Sequence, residues 1–477
     1  MQGILKVLSA LSVISIALAS SSTLLAEAPR ALPQGTVPDD KRLGELHHLN
    51  AYHPFRKVAD KNQWAKRAEQ LRNQMLLANG LWPLPTRTPL NARVHGKVDR
   101  DGYTVEKVII ESVPGHYVTG SLYRPKGRKG KLPGVLCPHG HWSNGRFYDH
   151  GESRIKQEIA IGAERFEVGG RHPIQARCVQ LARMGCVVFN YDMIGYADSV
   201  QIKHRPGVRE SMNNPEPGKW GFFSPQAAAR LQTMYGLQTW NSVRAMDFIT
   251  SLEDVDTNRI AVTGASGGGT QTMMITAVDD RVKVAFPAVM VSTSMQGGCT
   301  CENTHYLRIG AGNIDIAALA APRPMGLTAA DDWTKELKTK GDPDLRALYK
   351  MLGRPSHYTA AFNIHFKHNY NHVSRTVMYN WFNKHLKLGL KGIVLERDFK
   401  PLSRDEHSVW IGKHPKPSGN QAGDTHERAV VKWMTEDSDK KMTALIPPDP
   451  KGVARFKQVI GGAFDMLIGR KLPDAAD

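Results

Sequence analysis

Trp64, Ala68, Leu71, Met75, Leu76 and Ala78 recur at helical spacing, and Gly80 followed by Pro83 and Pro85 ends that predicted helix. From Val94 to Tyr123 the apolar period shortens toward two, with Val105, Val108, Ile110 and Val113 broken by Pro114-Gly115. This predicts a meander of antiparallel strands. Short apolar runs then alternate with helical stretches. Leu132–Cys137, Cys186–Tyr191, Arg259–Gly264, Val282–Val289, Pro324–Thr328 and Thr359–Ile364 read as strands, while Gln175–Met184, Thr239–Leu252, Thr270–Val278 and Val373–Leu386 read as helices. Such alternation predicts an α/β fold, a mostly parallel sheet covered by helices on both faces.

The same pattern divides the chain into residues 1–26, a helical extension over 27–93, the α/β domain over 94–395, and a linker with one amphipathic helix over 396–477. The closing helix, Val453 to Ile468, is followed by Gly469 and Leu472-Pro473, much as the first helix is followed by Gly80 to Pro85. A truncated second copy of the domain is one explanation. Two connections are oversized, Trp142–Arg171 and Val200–Gln238, and long insertions at strand ends commonly wall an active site. The second carries His204, Arg205, Arg209, Trp220 and Phe223. Its aromatic and basic residues make Trp220 and Arg209 candidate contacts for a sugar or an acidic group.

The first residues change where the protein is expected to work. Lys6 precedes the apolar run Val7 to Leu18, and small residues Ala19 to Ser22 follow, the layout of a secretory signal peptide. The mature protein is expected to be secreted or periplasmic, with no stable membrane insertion after signal removal. Mean hydropathy is −0.38, and no other long apolar stretch occurs. With 477 residues, nine Trp, 13 Tyr and 14 Phe, the chain has a real core and is not intrinsically disordered. Its formal charge of +18 is spread out, without a basic cluster interleaved with aromatics, so no nucleic acid partner is expected. Five cysteines leave at least one thiol free in an oxidising compartment. Cys137 and Cys186 fall in predicted buried strands, and Cys299-Thr300-Cys301 lacks the spacing of a zinc knuckle.

The sharpest chemical signal is Gly264-Ala265-Ser266-Gly267-Gly268, between a predicted strand and a predicted helix. Glycines suit so tight a strand-to-helix turn, which lifts the Ser266 hydroxyl into the open. Serine needs a histidine base, itself oriented by a carboxylate, and in α/β-hydrolases the chain order is serine, acid, histidine. Past the strand Pro324–Thr328 come Asp331-Asp332, and past Phe362–Ile364 come His365, His368 and His372. One of these histidines should fall opposite Ser266.

The blocks Gly264–Gly268, Met295–Asn303, Ala321–Pro324, Asp332–Thr334 and His368–Asn371 resemble exported bacterial α/β-hydrolases of the acetyl xylan esterase and dienelactone hydrolase-like group. The resemblance spans roughly Leu84 to Leu388. It implies an α/β-hydrolase fold, Ser266 as nucleophile, Asp332 as orienting acid and His368 as base. Asp331 is the alternative acid, and His372 or His365 the alternative base. It further implies an oxyanion hole from the backbone N–H groups of Gly267 and His141. The substrate would be a small-molecule or polysaccharide ester, and no cofactor is required. Glucuronoyl esterases carry Arg directly after the nucleophile, where this chain has Gly267, which weakens a uronate-ester assignment. Glu302 is either a substrate contact or a structural carboxylate bonded to local N–H groups.

Three rival readings stand beside the ester hydrolase. A serine peptidase could use the same fold, whereas a non-catalytic polysaccharide-binding module would predict a broken triad. His365, His368 and His372 have H-x2-H-x3-H spacing, with His139 and His141 at another strand end. The first three straddle a strand-to-loop junction and share no helical face, so no metal is assigned.

Overall fold

The computed structural model describes residues 50–293, 297–447 and 449–468, together with Pro33, Gly35, Thr36 and His48. The predicted signal peptide lies outside the described residues.

Among the described residues nine strands form one sheet in the order β1-β2-β3-β5-β4-β6-β7-β8-β9. The predicted meander is β1 (Arg93–Arg100), β2 (Tyr103–Val113) and β3 (His116–Pro125), paired antiparallel, with β3 also antiparallel to β5. The six predicted core strands are β4 (Leu132–Leu136), β5 (Val187–Tyr191), β6 (Val255–Ala265), β7 (Val284–Ala288), β8 (Met325–Asp331) and β9 (Tyr358–Lys367). All pairings among them are parallel. Strand β6 begins earlier than its apolar run, because Val255 and Asp256 pair with Leu132 and Pro133 before the register shifts.

Helices cover both faces, and the strands show it residue by residue. Leu136, Val187, Phe189 and Val262 belong to one apolar cluster, while their neighbours Val135, Val188 and Ala261 belong to another. Alternation of this kind is the two-residue period of a sheet buried on both sides. The first cluster takes in α1 (Lys61–Ala78), α3 (Met234–Ser251) and α4 (Gly267–Val278); the second takes in α2 (Pro173–Arg183) and α5 (His372–His385). Together these features make an α/β-hydrolase fold.

The tail departs from its expected character as a linker. It carries a 22-residue helix, α6 (Gly423–Ala444), whose Val430 and Val431 join the first apolar cluster. Its i,i+4 pairs Lys432–Glu436 and Asp437–Lys441, beside the Val430, Val431 and Met434 patch, were the signal available in the sequence. The closing segment runs from Val453–Phe456 through a π turn, Lys457–Gly461, to Gly462–Ile468. Val459 is buried there, and its carbonyl accepts the Trp82 indole N–H at 2.9 Å. The segment rests on α1 and the Trp82 turn, while Phe464 and Ile468 stay exposed. Among the described residues no helix is long and apolar enough to cross a membrane.

Helix α6 also seals buried histidines. His116 Nδ1 lies 3.1 Å from His426 Nε2, and burial lowers these rings to about 3 and about 4. His407, fully buried, is lowered well below the ordinary histidine value by the same cause. All three fold as neutral rings, so below pH about 6.5 the unfolded chain binds protons that the native protein refuses. Stability is therefore full above that pH and is lost as pH falls toward 4. Each histidine contributes a slope of about 1.4 kcal/mol per pH unit. Guanidinium unfolding between pH 7.5 and 5 should show this decline, and His407→Asn should flatten it by about one proton's worth. An unchanged slope in that variant would mean His407 is charged in the native protein.

Candidate active site

Strand β6 ends at Ala265, and Ser266 turns the chain into α4 with φ 56° and ψ −127°. A positive φ is costly for a residue with a Cβ, on the order of 1–3 kcal/mol, and persists where the surroundings over-determine it. Here they do. The Ser266 N–H donates to the Ala288 carbonyl on β7 at 3.2 Å, and its carbonyl accepts Thr270 N–H at 2.9 Å. The side chain caps no N–H of α4, although Ser266 occupies the N-cap position. Its hydroxyl is thus not tied to the helix that follows it.

The acid and the histidine come from neighbouring strand ends. Asp331 closes β8 in register with Lys367 at the end of β9, so Asp332 and His368 are the first residues beyond the paired ladder. His368 Nδ1 lies 2.6 Å from Asp332 Oδ2. The other oxygen, Asp332 Oδ1, accepts Thr334 N–H at 2.7 Å and Thr334 O–H at 2.5 Å. The threonine oxygen in turn accepts Ala330 N–H at 3.0 Å. Trp142 stacks on His368 with ring centroids 6.2 Å apart and an interplanar angle of 9°, and Trp333 packs on the same ring at 4.5 Å. The carboxylate and both indoles orient the imidazole. Sequence reasoning missed the two tryptophans.

The alternative residues are engaged elsewhere. Asp331 is half-exposed and salt-bridged to Lys367, which lowers its pKa. His372 Nδ1 sits 2.9 Å from Glu396 Oε2, within a buried network around Arg375 and Glu164. In that network burial alone would raise the Glu396 pKa, but Arg375 and hydrogen bonds from His372 and Tyr379 bring it to about 2. His365 is exposed on β9, packed on Phe366. Asp192, just past the end of β5, is buried against Arg146 at 2.8 Å and accepts the Thr119 hydroxyl at 2.6 Å; burial pushes it up to about 6.

The loop after β4 lies against the Ser266 turn. A Cβ on Gly140 would come within 2.8 Å of Ser266 Cβ and 2.6 Å of the Ala265 carbonyl oxygen, so only glycine permits that approach. A Cβ on Gly267 would meet the His141 ring at 2.8 Å. The position directly after Ser266 is therefore closed to a long side chain by the imidazole of His141. His139, on the same loop, is fully buried and lowered to about 3 by that burial; its Nε2 accepts Met193 N–H at 3.1 Å.

The three expected substrate contacts are used otherwise. Trp220 is buried in the first apolar cluster, and its indole N–H donates to Gln232 Oε1 at 3.1 Å. The insertion folds this aromatic into the core, where burying its surface outweighs exposing it at a wall. Arg209 is ion-paired with Asp424 and Glu427 of α6, so its charge is already neutralised. Glu302 is buried, accepts the Thr270 hydroxyl at 3.1 Å and Cys299 N–H at 3.3 Å, and has its pKa raised by burial. Of its two readings, the structure favours the structural carboxylate.

The histidines of the H-x2-H-x3-H stretch do not converge on a metal-binding point. A different group does: His141, His204, Cys299 and Cys301 place one donor atom each within 4.8 Å of one another. All five cysteines are unpaired thiols, and Cys301 against Cys299 lowers the pKa of Cys299 while its own is raised. Four positions spread over three segments of the chain left no spacing motif to find. Beyond Cys299 lies a cavity of about 340 Å³, lined by Phe223, Gln232, Met234, Cys299, Thr300 and Asn303; Ser266, Asp332 and His368 do not line it.

Residues 175–295 match the family model described as "Acetyl xylan esterase (AXE1)", a stretch that includes Ser266 and Gly267 and ends before Asp332 and His368. The chain is 28% identical over 209 residues to "Putative hydrolase YtaP" of Bacillus subtilis (strain 168). That alignment covers 43% of this chain and 58% of the relative, so the chain spans under two thirds of the length of the curated relative it matches. Among solved structures, "Methylesterase BT1017" superposes with a TM-score of 0.55 at 24% identity, covering 84% of this chain and 78% of that one. At this identity the likeness bears on the fold, which it shares.

Proposed function

We propose that this chain, an α/β-hydrolase similar to the acetyl xylan esterases over residues 175–295, is an exported serine esterase that removes acyl groups from carbohydrate. The observation that carries the reading is the 2.6 Å pairing of His368 with Asp332, at the end of the sheet where Ser266 sits on its strained turn. With Nδ1 protonated toward Asp332, His368 Nε2 is the free base. It takes the Ser266 proton as Oγ attacks the ester carbonyl, and the new oxyanion is held by the N–H groups of Gly267 and His141. His368 then protonates the departing sugar hydroxyl. Water, activated by the same ring, releases the acid and restores the serine. Every step is a proton transfer or an acyl transfer, and no cofactor takes part.

The His141 ring beside Gly267 supports an acetyl ester over a uronate ester. A Cβ at position 267 would already meet that ring at 2.8 Å, which disfavours an arginine directly after the nucleophile. The test is chemical trapping: the mature protein, treated with a fluorophosphonate, should be labelled on the peptide bearing Ser266 and should hydrolyse a chromogenic acetate and acetylated xylan. Labelling at another serine, or turnover that survives complete labelling, would remove the reading. Release of acetate from the chromogenic ester but not from any acetylated polysaccharide would keep the serine esterase and discard the carbohydrate.

A further inference from the structure

We infer that His141, His204, Cys299 and Cys301 form a closed four-ligand zinc site that fastens the Ser266 surroundings together. His204 Nε2 lies 3.1 Å from Cys299 Sγ and 3.6 Å from Cys301 Sγ, and His141 Nε2 lies 3.1 Å from Cys301 Sγ. A tetrahedral zinc with Zn–S of about 2.3 Å and Zn–N of about 2.05 Å requires donor-to-donor edges of about 3.4–3.8 Å. These three separations reach that geometry with shifts of up to about half an ångström, and the widest edge of the group, within 4.8 Å, closes by about an ångström on metal binding. Two sulfurs and two imidazole nitrogens form a set suited to zinc, since hard cations such as magnesium and calcium take oxygen.

The surroundings are those of a metal centre rather than of four incidental side chains. Ligating histidines characteristically donate their second ring N–H to a carbonyl or carboxylate, which fixes the tautomer. His204 does this: its Nδ1 lies 2.8 Å from the Ile194 carbonyl oxygen, so the Nε2 lone pair points at the sulfurs. Arg205 Nε–H donates to Cys299 Sγ at 3.3 Å, a positive partner for a thiolate. Tyr196 packs edge-on against both imidazoles, and Met193 joins the cysteines in a small apolar cluster that excludes water. With four protein donors no position is left open for substrate or water, which makes the site structural, not catalytic.

The ligands come from the loop after β4, from the Val200–Gln238 insertion and from the Cys299–Cys301 turn. A zinc ion would cross-link three segments that the backbone ladder does not join. His141 would hold the metal through its ring and serve the oxyanion through its backbone N–H. That second role rests on the esterase reading; the metal site itself does not.

Metal analysis of the full mature chain, purified without chelator or added metal, tests the inference separately from activity. One zinc per chain is expected, or tight uptake of one equivalent against a chromophoric chelator if it is isolated empty. Cobalt loaded in its place should show thiolate-to-metal charge transfer and the strong visible bands of a tetrahedral centre. Cys299→Ser/Cys301→Ser should lose zinc by more than the about 10–100-fold in affinity typical of outer partners. If that variant does not fold, the cobalt spectrum of the parent decides alone. No metal bound in either form, a Cys299–Cys301 disulfide in the peptide map, zinc retained by a folded double variant, or cobalt without thiolate bands would each overturn the site. A parent chain that binds one zinc yet hydrolyses no ester would instead count against the proposed triad.

Discussion

Ser266→Ala is expected to lower kcat on a chromogenic acetate by about 10⁵–10⁶-fold while leaving the protein folded. The loss is large because the hydroxyl is the atom that becomes acylated, and nothing else at the turn can replace it. What remains would come from the oxyanion donors and from binding, which persist without the nucleophile. The fold should tolerate the change, since the Ser266 side chain caps no N–H of the helix that follows it. The unfolding midpoint should therefore move by no more than about 0.5 kcal/mol equivalent. Parental turnover in a folded alanine variant would take the serine out of the mechanism altogether.

The second large effect separates two adjacent carboxylates. Asp332→Asn should lower kcat by about 10⁴-fold, because an amide can present its N–H to His368 Nδ1 and thereby place the imidazole proton on Nε2. That nitrogen is the one that must be empty to accept the serine proton. Thr334 should still hold the neutral side chain through Oδ1, so the geometry survives and the tautomer does not. Asp331→Asn loses only an exposed pair with Lys367 and should leave kcat within about twofold. Measuring both variants side by side is decisive: a loss confined to Asp331→Asn would reassign the acid, and no loss in either would leave His368 without a charged partner in the reaction.

Much of the fold was legible in the chain. The six core strands and the four helices α2 to α5 follow from apolar period, because burial on both faces of a parallel sheet demands continuous apolar runs. The turn at Ser266 was equally visible, since its glycines answer a local steric demand. Helix α6 was not seen, because its apolar patch is short and most of its surface is polar; it is held by docking, with Val430 and Val431 in the core and Glu427 on Arg209. That same docking is why Arg209 was misread. Its charge, free on paper, is met by two carboxylates more than 200 residues away in the chain. Trp220 was misread for a related reason: an aromatic residue in a long insertion looks like a wall until the insertion folds inward.

The amino-acid order alone establishes the α/β alternation, the strained serine turn, and the succession of serine, acid and histidine, because each depends on neighbours within a few residues. Only the tertiary structure chooses between Asp331 and Asp332. Successive residues at a strand end point to opposite sides, so one meets Lys367 in solvent and the other meets His368 between two tryptophans. Likewise only folding gathers His141, His204, Cys299 and Cys301, for a metal-sized cluster requires distances of a few ångströms and not any spacing along the chain.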